Sequence, residues 1–168
     1  MVTADDDFYV PNWLEELVAG YDPAAPTIVC HRAHPVLQFG SANTPLYLER
    51  ESDVQDEAAR RPSTDLLAVG LGGTLYPSRS LHPDATDHDA FTRLCPHADD
   101  LWCSWCARRA GSLYKKIGGP FPILNWDSTQ KERLFNLNAT ESDAQLRRLL
   151  DAYGDPNAPE GAGAPPYS

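Results

Sequence analysis

Apolar and polar positions along the chain alternate in short, changing rhythms. From Pro11 to Ala19 the apolar residues Trp13, Leu14, Leu17 and Val18 recur at helical spacing, and Gly20 follows as a stop. After a proline-rich connector come three brief β-branched or aromatic runs, Thr27–His31, Val36–Phe39 and Leu46–Glu49, with turn residues between them. That pattern predicts short strands of an antiparallel meander. Ser52 caps a polar helix expected to run to Arg61, ended by Pro62. Asp65–Leu71 and Thr74–Tyr76 read as strands joined by a hairpin at Gly72-Gly73, because paired glycines supply the positive φ of a tight turn. Asp87 or Asp89 is expected to cap a short helix over Ala90–Leu94.

A longer helix is predicted from Leu101 to about Ile117, with Asp99 and Asp100 at its start, Lys115 and Lys116 at its end and Gly118-Gly119-Pro120 as its stop. Phe121–Trp126 and Arg133–Leu137 read as strands. A final helix over Thr140–Tyr153 carries Leu146, Leu149, Leu150 and Tyr153 on one face, and Gly154 closes it. The resulting fold class is α+β: a small antiparallel sheet, three or four helices, and a zinc-stapled helix after Cys103. Three parts follow: an acidic N-terminal arm (1–10), a single zinc-binding α+β domain (11–154) and a Pro/Gly/Ala-rich tail (155–168). The tail offers no apolar face, so its own contacts do not offset an ordering cost of roughly 1–2 kcal/mol per residue.

The zinc expectation comes from one stretch. Cys95-Pro96-His97 and Cys103-Ser104-Trp105-Cys106 hold three of the four cysteines. Cys-x-x-Cys sets two thiolates on one turn, which suits tetrahedral zinc. Cys95 is the third expected ligand and His97 the fourth. Cys30, His31 or His34 are the alternates that would staple the early strand to this helix. Four thiolates, Cys30, Cys95, Cys103 and Cys106, would instead suit an iron–sulfur cluster. Over five residues, Trp102 to Cys106 resembles the redox motif of thioredoxin-like proteins, which implies a thiol oxidoreductase at Cys103/Cys106. Zinc deaminases pair His-x-Glu with a later Pro-Cys-x-x-Cys, but here Asp99 stands where Glu belongs and the halves are too close for two helices. The metal is therefore expected to be structural, in a closed four-ligand site.

Charge narrows the partners. The net charge is −10, with only three lysines, Lys115, Lys116 and Lys131. Phosphate binding needs a dense basic footprint, so direct nucleic-acid binding is not expected. The only basic island, Arg108, Arg109, Lys115 and Lys116, reads as the wet face of a helix. No apolar run is long enough to span a membrane. Met1 to Asp7 is acidic and unlike a signal peptide, so a cytoplasmic, reducing setting is expected.

His82–Asp89 concentrates imidazole and carboxylate, the ligand set of a hydrolytic metal site, although a solvated loop with a helix cap has the same composition. The function these features point to is a non-enzymatic, zinc-stabilised acidic protein that docks on protein partners, within a larger assembly. The alternatives are an enzyme (the thiol oxidoreductase, or a hydrolase using His82 and His88) and an acidic inhibitor that mimics nucleic acid.

Overall fold

Whether an edge strand, a turn or a helix forms here is decided mostly by what each short apolar run finds to pack on. The structure is a computed structural model whose described residues are 1–4, 9–35, 53–121 and 134–156, with the backbone alone described over 134–140. The expected strands at Val36–Phe39 and Leu46–Glu49 lie outside them. So do Asp5 to Asp7 of the arm, the expected strand after Phe121, and the tail beyond Pro156.

The α+β class holds. Four short strands, β1 (Val2–Thr3), β2 (Ile28–Cys30), β5 (Thr74–Leu75) and β6 (Tyr114–Lys116), form one sheet in the order β1-β5-β2-β6. The strands β3 (Ala33–Pro35) and β4 (Leu66–Ala68) form a second, two-stranded sheet. The larger sheet is mixed rather than wholly antiparallel, because β2 pairs parallel with β6, Ile28 opposite Tyr114 and Cys30 opposite Lys116. A parallel pair needs a long crossover, and residues 31–113 lie inside it.

The Gly70–Gly73 turn is not a hairpin, since β4 pairs with β3 and β5 pairs with β1 and β2. It carries the chain from one sheet to the other, closed by a bond from Gly73 N to Gly70 O of 2.8 Å. Gly72 and Gly73 have φ of +102° and +86°. A Cβ on Gly73 would stand 2.6 Å from the Trp13 ring. Glycine is needed here so that an aromatic ring can rest on the turn.

Four α-helices are described: α1 (Trp13–Gly20), α2 (His88–Leu94), α3 (Asp99–Arg109) and α4 (Leu134–Tyr153). Helix α1 packs on β2 and β5. It buries Leu17 fully but leaves Leu14 44% and Val18 56% exposed, so the four-residue apolar face read from sequence is only partly covered. Only Glu57–Arg60 of the helix expected before Pro62 is seen, as one 3-10 turn. Asp87 caps α2 as expected, Oδ1 accepting from Ala90 N at 2.9 Å.

Helix α3 ends sooner than its charge pattern implied. Gly111 takes φ +73° and Ser112 N reaches back to Ala107 O at 2.9 Å, a glycine stop after which the chain starts β6. Residues 134–137 belong to α4 rather than to a strand. A short apolar run does not separate the two by period alone.

Helix α3 is buried nearly all round: Leu101, Trp102, Ser104, Trp105, Cys106, Ala107 and Arg108 are all inside. It divides two cores. One, on the sheet side, gathers Ile28, Cys30, Leu66, Tyr76, Ala107 and Tyr114. The other, on the helix side, gathers Leu94, Cys95, Trp102, Trp105, Cys106 and Leu149. No described helix is long and apolar enough to cross a membrane.

Candidate functional site

The Cys/His stretch spans the end of α2 and the first three turns of α3. Cys95 is the C-cap of α2, and its Sγ donates to Ala98 O at 3.1 Å, which shapes the bend into α3. Cys95 and Cys106 pack in the helix-side core. Cys103, three residues before Cys106, turns to the sheet-side core instead. The Tyr76 hydroxyl lies beside it and partly opposes the rise in its pKa. Burial is the main cause of that rise in every thiol. It pushes Cys30, Cys95 and Cys106 up to about 12, and Cys103 up to about 11. Raised in this way, the thiols favour the neutral form and pack as small hydrophobes.

His97 faces away from them. Its backbone N donates to Gln145 Oε1 on α4 at 3.0 Å, and its half-exposed ring has Nε2 3.7 Å from Glu141 Oε2. The alternates are engaged elsewhere. Cys30 Sγ donates to Lys115 O at 3.6 Å, His31 Nε2 lies 3.1 Å from Trp13 O, and His34 Nδ1 accepts from Asp53 N at 3.4 Å. Among the described residues no three His, Cys, Asp or Glu side chains come together as a metal group. A four-ligand zinc or a four-thiolate cluster needs convergent, deprotonated donors. Here Cys95 and Cys106 lie on the helix side of α3, Cys103 on the sheet side and His97 against α4, while Cys30, His31 and His34 are held at Lys115, Trp13 and Asp53.

The His82–Asp89 loop is a pair of caps. His82 Nδ1 accepts from Asp84 N at 3.3 Å at the head of a 3-10 turn, Pro83–Thr86. Asp84 Oδ2 meets Arg109 Nη1 at 2.6 Å, a bond that is the main reason its carboxyl is held below the usual range. His88 stands 86% exposed beside a still more exposed Asp89. His82 and His88 therefore sit at separate helix starts, His82 as a cap and His88 as the first residue of α2.

The basic island also comes apart. Arg108 is buried, with Nη2 donating to Thr64 O and, at 3.2 Å, to Leu66 O of β4. Arg109 stacks 4.4 Å over the Tyr153 ring. Lys116 is the larger surprise, for its side chain has no exposure at all. Its Nζ donates to His31 O at 2.8 Å and Gly119 O at 2.9 Å, and lies 3.1 Å from Asp53 Oδ1.

Asp53 is itself buried and sits at φ +69°. Its carboxylate also takes Gln55 Nε2 at 3.0 Å and Ala33 N at 3.4 Å. Burial pulls the Lys116 pKa down and Asp53 opposes the fall. With three acceptors for three protons, this ammonium is a staple joining β6, the β2–β3 link and the Asp53 segment. Nothing near Lys116 in the sequence marks it. Its burial follows from the parallel β2–β6 pairing, which sets Lys116 opposite Cys30.

One water-sized cleft opens between α3 and α4, lined by His97, Asp99, Asp100 and Ser142. Comparison with protein-family models, with curated proteins and with solved structures found no match to this chain.

Proposed function

We propose that the chain acts by binding protein partners rather than by catalysis, as an acidic interaction or assembly protein. The observation that supports this reading is the way its reactive groups are used. The Cys95 thiol, the His31 ring, the Lys116 ammonium and the Arg108 guanidinium all bond to main-chain carbonyls of the same chain. A nucleophile or general base must have its reactive atom free to reach substrate. These groups instead hold elements together, and the chain as a whole carries a net charge of −10. The reading does not depend on a bound metal.

The test pairs thiol reactivity with partner capture, both on the full chain. Under native conditions the cysteines should react with a chromogenic disulfide far more slowly than after unfolding. At physiological salt, a protein from the native host should co-purify in fixed ratio. Rapid reaction at Cys103 and Cys106, with turnover of a disulfide substrate and no co-purifying protein, would overturn the reading in favour of an oxidoreductase.

A further inference from the structure

We draw no further inference here: the strongest candidate, the surface patch that the partly exposed Leu14 and Val18 make on α1, is an unpartnered apolar face, and nothing in the structure shows what covers it.

Discussion

The α2–α3 segment buries the thiols of Cys95 and Cys106 and partly buries that of Cys103, and the seam between β2 and β6 withdraws one ammonium. A thiol is neutral when buried and loses little by it. Cys95 needs only one bond to Ala98 O, and Cys106 needs only apolar neighbours. Burial then moves the thiolate further out of reach, so the chemistry fades as the packing improves. An ammonium keeps its charge and is costly to bury alone. Lys116 therefore assembles His31 O, Gly119 O and Asp53 around itself. The region densest in reactive residue types became packing, and a residue expected on a wet face became the most organised polar centre described. What gathers partners is a charge that has to be buried.

The strongest way to break that contrast is to remove one half of the seam. Lys116→Met leaves the Asp53 carboxylate buried without its cation, and should cost about 3–5 kcal/mol in urea unfolding. Adding Asp53→Asn, which tolerates the left-handed backbone, should recover part of the loss. A cost near zero for Lys116→Met would mean the pair is not a staple.

Alkaline titration sharpens the contrast, because buried thiols and a buried ammonium act with opposite signs. The thiol pKa values rise from 9.0 to about 11 for Cys103 and about 12 for Cys30, Cys95 and Cys106. Above pH 9 the unfolded chain loses these protons first. Their contribution is therefore complete below about pH 9 and disappears as pH climbs towards 11 and 12. Buried Tyr76 and Tyr114, raised too, act in the same sense. Lys116 is lowered from 10.5, so between its folded value and 10.5 the unfolded chain binds more protons and stability rises with pH. Melting temperatures measured upward from pH 9 should fall. The fall should be shallower in Cys106→Ala and steeper in Lys116→Met. A flat profile would show that the thiols are not buried as described.

The smallest expected effect is that of a chelator. Protein purified without one should hold substoichiometric zinc, and adding one should leave the melting curve in place. One tightly bound zinc whose removal lowers the melting temperature would show Cys95, His97, Cys103 and Cys106 rearranged into a donor set. The α2–α3 segment would then be a centre as organised as the Lys116 seam.

Features set within a turn or two were legible from sequence alone. The Ile28–Cys30 strand, the Asp87 cap, the Gly154 stop and the α+β class follow from periodicity, capping chemistry and glycine geometry, which depend on near neighbours only. The end of α3 was equally local, signalled by Gly111, but the lysines placed after it suggested a longer helix. Tertiary structure decided the rest. The sorting of Cys103 from Cys95 and Cys106 depends on α3 lying between two cores. The burial of Lys116 depends on β6 finding β2, and on Asp53 arriving from a third segment. Ligand-type residues close in sequence are held apart when a helix is packed on both sides, and an ion pair forms between residues that no local pattern connects.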